Sequence, residues 1–214
     1  EQFQTLYDFV GEQEFDHVPV DDGFTIDIGS VRPTAIHTAG HTPEHISWRA
    51  DIPARPDVNP VLFSGDSLFV GDVGRPDLLG EDRTDELVDQ LYDTVTNVFK
   101  RMPDDVIVYP GHTAGSSCGK NIGDDPHTTI GREKAMNYAF RPDSRNEFAD
   151  AVMSGMPTPP TYYPVLKRVN KAGAKPLAEL PPMPALSVDA IEDALASGAL
   201  LIDAGHRKTD LVVL

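Results

Sequence analysis

Three histidines spaced four residues apart are the first candidates for chemistry in this sequence. His37, His41 and His45 would share one face of a helix, but Gly40 and Pro43 interrupt the segment and disfavour a helix. In a turn the three rings point in different directions, so we expect at most two to reach a common centre. There an imidazole would bind a metal or carry a proton; the alternative for each is a hydrogen-bonded loop histidine.

Two further residues of metal-ligand type each stand one glycine beyond an apolar run. Asp66 follows residues 61–64, and His112 follows residues 106–109 through Pro110 and Gly111. Ligands in α/β proteins gather beyond the carboxyl ends of strands, and a carboxylate there needs a cation or hydrogen-bond donors to offset its desolvation. Together with the histidine-bearing loop, these positions predict a metal site. A turn or helix-capping aspartate is the alternative for Asp66.

Cys118 and Arg75 are candidates for work on a substrate. Glycines flank the short segment around Cys118, and Lys120 is near, which predicts an exposed thiol of lowered pKa; the alternative is an inert, buried cysteine. Arg75 lies in the glycine-rich stretch 71–77, which predicts a clamp for a substrate carboxylate or sulfonate. The alternative for Arg75 is a surface ion pair with an aspartate.

The elements that must position these residues indicate an α/β protein. Apolar patterns predict strands at 24–28, 31–37, 46–49, 61–64 and 106–109. Helical spacing predicts a helix from Leu87 to Met102, capped at Thr84 and stopped by Pro103, and further helices at 131–140 and 146–154. The proline-rich stretch 156–184 predicts an extended connector, after which Ser187 caps a last helix before a strand at 200–203.

Composition narrows the classes of partner. The chain has 214 residues, of which 40% are hydrophobic, so it can build a core. Its net charge of −16 disfavours binding to nucleic acid or to anionic membranes, and no apolar run is long enough to span a bilayer. A single cysteine excludes an internal disulfide framework and makes a cysteine-based zinc site within the chain unfavourable. We therefore expect a cytoplasmic protein.

Three strings in a fixed order carry a family resemblance. AGHTPEH at 39–45, FSGDSLF at 63–69 and YPGH at 109–112 resemble the second half of the metallo-β-lactamase superfamily. GDVGRPD at 71–77, the stretch 110–119 and the run 159–170 are most similar to its persulfide dioxygenase branch, in the form fused to a rhodanese domain. The resemblance implies a metallo-β-lactamase αββα sandwich in residues 1–180. Residues 181–214 resemble the start of a rhodanese-like α/β domain.

The resemblance also implies roles and a reaction. His41 and Asp66 would bind a catalytic Fe(II), His112 would occupy the second-site position of dinuclear hydrolases, and Arg75 would lie near the substrate. His45 falls outside this ligand pattern. The implied reaction is oxidation of a low-molecular-weight, glutathione-type persulfide by O₂ to sulfite and thiol, and Cys118 is the candidate catalytic thiol. A rhodanese partner would move sulfane sulfur to or from a carrier, and a homo-oligomer is compatible with the sequence.

Departures from the family pattern keep two alternatives open. The motif H-x-H-x-D-H is absent, so we expect the sequence to lack the first half of the sandwich, and the rhodanese part lacks a catalytic cysteine. We accordingly expect these 214 residues alone to be poorly soluble, iron-poor and inactive toward persulfide. One alternative is a dinuclear zinc hydrolase of thioesters, similar to glyoxalase II. The other is a non-catalytic fragment.

Overall fold

The computed structural model describes residues 18–173 and 186–200, and its centre is a mixed five-stranded sheet. The strands are β1 (Arg32–His37), β2 (Ile46–Asp51), β3 (Val61–Gly65), β4 (Ile107–Pro110) and β5 (Thr128–Thr129), in that spatial order. β2 is antiparallel to both of its neighbours, β1 and β3, whereas β3 and β4 are parallel, and β5 is antiparallel to β4. The predicted α/β class is confirmed.

The α-helices of the described residues lie between β3 and β4 and after β5 in the chain. They are α1 (Glu81–Asp93), α2 (Ile130–Met136), α3 (Arg145–Met153), α4 (Tyr163–Ala172) and α5 (Val188–Ala196). α1 provides the crossover that a parallel β3–β4 pair requires, and it continues as a π-helical turn at Thr94–Val98 and a 3-10 turn at Phe99–Arg101.

One face of the sheet carries the core. Leu62 of β3 and Val108 of β4 are fully buried in a cluster with side chains from the helices, among them Leu87, Leu91, Val95, Phe99 and Phe148. The register pairs Phe63 with Tyr109 on the opposite face. These two rings stack 6.1 Å apart and are 51% and 41% exposed, so the second face of the sheet is exposed at β3 and β4.

The strand directions bring three loops to one edge of the sheet. The carboxyl ends of β3 and β4 lie side by side, and the amide of Gly111 donates to the carbonyl of Gly65 over 2.7 Å. His37 at the end of β1 pairs with Ile46 at the start of β2, so the loop between them lies at the same edge. This edge holds the predicted site.

Four predicted elements differ from those observed, each for a local reason. Residues 24–28 form isolated bridges instead of a strand, because Pro33 has no N–H to return the bond that Ile26 donates to its carbonyl. The first long helix begins at Glu81 after Gly80, not after Thr84, whose hydroxyl donates back to the carbonyl of Gly80.

The two remaining differences involve later helices. The helix predicted at 131–140 breaks at Asn137, which adopts an extended backbone and caps a separate 3-10 turn at Tyr138–Phe140. The predicted connector at 156–184 contains α4, because apolar residues recur at helical spacing within it. Of the strand predicted at 200–203, all but Leu200 lies outside the described residues.

The chain divides into two compact units, Glu1–Gly173 and Ala174–Leu214. In the described part of the second unit, α5 begins after Ser187, whose hydroxyl accepts the N–H of Ala190 as the sequence predicts. Among the described residues, no helix combines the length and apolar character that crossing a membrane requires.

Candidate metal centre

His41 is held as a neutral ring with its lone pair toward Asp66. The ring is 5% exposed, and Nδ1 lies 2.9 Å from the carbonyl oxygen of Arg75. A carbonyl can only accept, so Nδ1 carries the proton and Nε2 keeps the lone pair, 3.5 Å from Oδ2 of Asp66. Burial lowers the pKa of His41 despite the neighbouring carboxylate. A neutral imidazole fixed in this way is suited to bind a metal.

Asp66 lies between two histidines and is surrounded by glycines. Its Oδ1 accepts a hydrogen bond of 2.7 Å from Nδ1 of His112, which leaves the lone pair of His112 on Nε2. A Cβ at Gly111 would stand 2.6 Å from Oδ1, and one at Gly74 would stand 1.8 Å from the carbonyl oxygen of Asp66. The neighbouring backbone therefore approaches the aspartate more closely than any larger residue would permit.

His45 supports Asp66 through the backbone and does not join the group of donor atoms. Its Nε2 accepts the N–H of Asp66 over 3.1 Å, so Nδ1 carries the proton and donates to the hydroxyl of Thr38 over 2.8 Å. That hydroxyl lies 2.7 Å from the hydroxyl of Ser47. Burial lowers the pKa of His45 to about 4, which keeps the ring neutral. The position agrees with the predicted place of His45 outside the ligand pattern.

Cys118 completes a set of three donors. The ligand atoms of His41, Asp66 and Cys118 all lie within 4.8 Å of one another. Within the described ranges, these three residues form the group of side chains that could hold a metal ion. His112 contacts Asp66 at the rim, with 44% of its side chain exposed. The structure thus brings all four predicted residues to one edge, while their roles stay predictions.

The prediction that Cys118, with Lys120 near, has a lowered pKa is wrong. The ammonium of Lys120 donates to the carbonyls of Ala151 and Ser154 near the end of α3 and lies 4.3 Å from the ring centre of Tyr138. Burial raises the pKa of Cys118, and the carboxylate of Asp66 raises it further. Without a metal, the thiol is therefore half-buried and protonated at neutral pH.

Arg75 is fully buried and paired within the protein. Its guanidinium makes a two-pronged ion pair with Asp77, at 2.6 and 2.8 Å. It also donates to the carbonyls of Ser117 and Pro157, at 3.2 and 2.7 Å. The residue is thus not part of a surface ion pair. A substrate anion would have to compete with Asp77 for this group, so substrate binding by Arg75 stays a prediction.

Sequence reasoning missed the contribution of α4. The hydroxyl of Tyr163 lies 2.5 Å from the hydroxyl of Ser117, and Tyr163 is close enough to Cys118 to lower its pKa in part. The helical spacing of Tyr162, Leu166 and Val169 is the signal that could have identified this helix.

The donor chemistry fits a transition metal. Imidazole nitrogen, carboxylate oxygen and thiolate sulfur are all ligands of zinc, and imidazole with carboxylate also suits non-haem iron. His41 and Asp66 would hold the ion, with Cys118 near enough to supply a third donor. The bond from His41 Nδ1 to the backbone is the outer support typical of metal-bound histidine.

Comparisons with solved structures identify the fold that carries these residues. A crystal structure of a metallo-β-lactamase from Staphylococcus aureus subsp. aureus COL superposes with a TM-score of 0.64 and 36% identity, covering 71% of this chain and 44% of that one. The chain has the metallo-β-lactamase fold. ETHE1 from Myxococcus xanthus shares this metallo-β-lactamase fold with a TM-score of 0.57 and 27% identity, covering 76% of this chain and 63% of that one.

Sequence comparisons find hydroxyacylglutathione hydrolases that are similar to part of this chain. A hydroxyacylglutathione hydrolase of Dictyostelium discoideum is 33% identical over 40% of this chain and 29% of its own length. One from Polaromonas sp. (strain JS666 / ATCC BAA-500) is 37% identical over 42% of this chain and 30% of its own length. The chain spans less than half the length of these curated relatives. No family model matches the sequence.

Proposed function

We propose that this chain is part of an iron-dependent sulfur dioxygenase that oxidises a low-molecular-weight, glutathione-type persulfide. The observation that carries the proposal is the convergence of His41, Asp66 and Cys118 within 4.8 Å at the strand edge of a metallo-β-lactamase fold. The likeness to ETHE1 from Myxococcus xanthus, a persulfide dioxygenase, supports this reaction. In it, persulfide, O₂ and water give thiol, sulfite and two protons.

The residues of the chain would divide the work. Bound iron would supply open positions for the sulfur and for O₂. His41 and Asp66 would hold that ion, and the buried surroundings of His41 would exclude water. His112 hydrogen-bonds to Asp66 at the exposed rim and could carry the released protons to solvent from Nε2. Cys118 would contact the substrate sulfur.

A zinc hydrolase of glutathione thioesters is the second candidate. It is favoured by the likeness to two hydroxyacylglutathione hydrolases. In this reading His112, with its lone pair on Nε2, would hold a second zinc, and the metals would generate hydroxide near neutral pH. Both candidates act on a glutathione-type sulfur compound, and they differ in the metal and in the need for oxygen.

Metal content and oxygen uptake separate the candidates. The full-length protein is purified without added metal, and its iron and zinc are counted before it is given glutathione persulfide or a glutathione thioester. Iron with persulfide-dependent oxygen uptake supports the dioxygenase, whereas zinc with thioester hydrolysis supports the hydrolase. Asp66→Asn should abolish either activity, and Asp27→Asn is its surface control, because the exposed carboxylate of Asp27 accepts hydrogen bonds from the exposed guanidinium of Arg32. A protein that binds no metal and turns over neither substrate contradicts both.

A further inference from the structure

Among the described residues, Arg75 has the largest fully buried side chain, and its backbone carbonyl contacts the candidate metal ligand His41. A buried guanidinium is costly unless its charge and its donors are satisfied. Here Asp77 balances the charge, and two backbone carbonyls accept further hydrogen bonds. Each of the three guanidinium nitrogens therefore has at least one hydrogen-bond acceptor within the protein.

The backbone of Arg75 touches both flanks of the metal centre. Its carbonyl oxygen accepts the Nδ1 proton of His41 over 2.9 Å, which fixes the tautomer and the direction of that ring. Its amide donates to the carbonyl of Cys118, also over 2.9 Å. One residue thus separates two of the three candidate donors, and any shift of its backbone changes the distance between them.

The side chain of Arg75 fixes that backbone in place. One prong of the guanidinium reaches the carbonyl of Ser117, next to Cys118, and another reaches Pro157, which follows α3. Asp77 grips the same group from two residues along the chain. Lysine could not replace these bonds, because it has no planar fork of donors.

We propose that Arg75 is a positioning residue that sets the spacing between the imidazole of His41 and the thiol of Cys118. It acts from within the protein, through the hydrogen bonds of its backbone to His41 and to Cys118. The inference rests on the proposed metal site for one of its readouts, and a second readout is independent of any metal.

The test compares two matched pairs of variants in the full-length protein. Arg75→Lys and Asp77→Asn each break the buried clamp. Arg145→Lys and Asp89→Asn make the same changes in a surface ion pair on α3 and α1. For each variant we would measure the zinc affinity by chelator competition, the rate of alkylation of Cys118 by iodoacetamide in metal-free protein, and the stability to denaturant.

Arg75→Lys and Asp77→Asn should each weaken zinc binding by roughly 10- to 100-fold, as expected for an outer-shell partner. They should also make Cys118 react several times faster, because its loop opens more often. The double variant should bind zinc no more weakly than the single variant with the lower zinc affinity, since both changes remove the same clamp. The surface pair should leave zinc affinity and alkylation unchanged, even where stability falls.

Two outcomes would overturn the inference. One is a folded Arg75→Lys protein with wild-type zinc affinity and wild-type alkylation. The other is a loss of affinity that merely follows stability in both pairs, which would mark Arg75 as a general packing residue. If the wild-type protein binds no zinc or iron, the proposed function fails, and the alkylation rates alone then decide the positioning role.

Discussion

Cys118 combines a position near two candidate ligands with a thiol that is hard to ionise. Its pKa is raised first by burial and then by Asp66, through both charge and a hydrogen bond. Only the thiolate is a good nucleophile or metal ligand. Activation of Cys118 therefore requires a cation that lowers its pKa against the effects of burial and of Asp66. A bound metal would then be the cation that favours deprotonation of this thiol.

Metal-free protein should therefore alkylate slowly at Cys118 at neutral pH, with a rate that rises as the pH goes above the ordinary thiol range. Asp66→Asn should speed the reaction at neutral pH, because it removes the negative charge. Iodoacetamide kinetics from pH 6 to 10 measure both effects. Wild-type labelling at neutral pH as fast as in the unfolded chain would contradict the raised pKa.

His45 makes the stability of the metal-free protein depend on pH. Its pKa falls from 6.5 to about 4 on folding, so the unfolded chain binds the proton more readily. The contribution of neutral His45 is complete above the unfolded pKa of 6.5 and is lost as the pH falls toward 4. At roughly 1.4 kcal/mol per pKa unit, the loss is about 3 kcal/mol.

Denaturant unfolding from pH 7.5 to pH 4 should show this loss in wild-type protein, and less of it in His45→Gln, which does not titrate in the range. His41 changes in the same direction and retains part of the pH dependence in the variant. If the unfolding free energy changes equally with pH in wild-type protein and in His45→Gln, His45 is not the titrating group.

The turn between β3 and α1 depends on close backbone approach. Gly74 packs so tightly that a Cβ would lie 1.8 Å from the carbonyl oxygen of Asp66 and 3.0 Å from Cβ of His41. Neither neighbour can move without displacing a candidate ligand. The glycine thus belongs to the construction of the site, although it contributes no functional group.

Gly74→Ala should cost about 2 to 3 kcal/mol of unfolding free energy and weaken metal binding as well. Gly29→Ala is the control: its Cβ would meet nothing within 4 Å, so it should cost only the backbone strain of a residue at φ 62°, about 1 kcal/mol. Denaturant melts and metal titrations of both variants give the comparison. A stable Gly74→Ala protein with unchanged metal affinity would contradict the packing argument.

Two features of the molecule, the exposed aromatic rings on β3 and β4 and the high negative charge, have opposite effects on self-association. Phe63 and Tyr109 are exposed and stacked, and the ring of His127 extends the stack at 5.4 Å from Tyr109. Exposed aromatic sheet faces favour association, while a net charge of −16 opposes it by repulsion. Salt screens the repulsion and leaves the apolar attraction.

These 214 residues should therefore self-associate more at 0.5 M than at 0.05 M salt. The double variant Phe63→Thr, Tyr109→Thr should reduce the association, whereas Tyr162→Thr, immediately before α4, tests whether any exposed aromatic ring has the same effect. Sedimentation velocity at several protein concentrations measures it. Equal association of wild-type protein and the double variant would show that another surface is responsible.

Sequence by itself determined the strands that bracket the site. The apolar runs before Asp66 and His112 predict β3 and β4, and the glycine after each run predicts a sharp turn at the strand end. These are local properties, set by side-chain period and by backbone freedom. The resemblance carried by residues 39–45, 63–69 and 109–112 likewise predicted the metallo-β-lactamase fold that the comparisons show.

Only the tertiary structure decided what surrounds each candidate residue. The pKa of Cys118 rises instead of falling, because the thiol is half-buried and Asp66 faces it, while the ammonium of Lys120 donates to carbonyls near the end of α3. Arg75 is buried against Asp77, Ser117 and Pro157, a set that spans more than 80 residues of sequence. Burial and long-range electrostatics arise from segments distant in sequence, and so local patterns could place these residues at the site but could not reveal their environment.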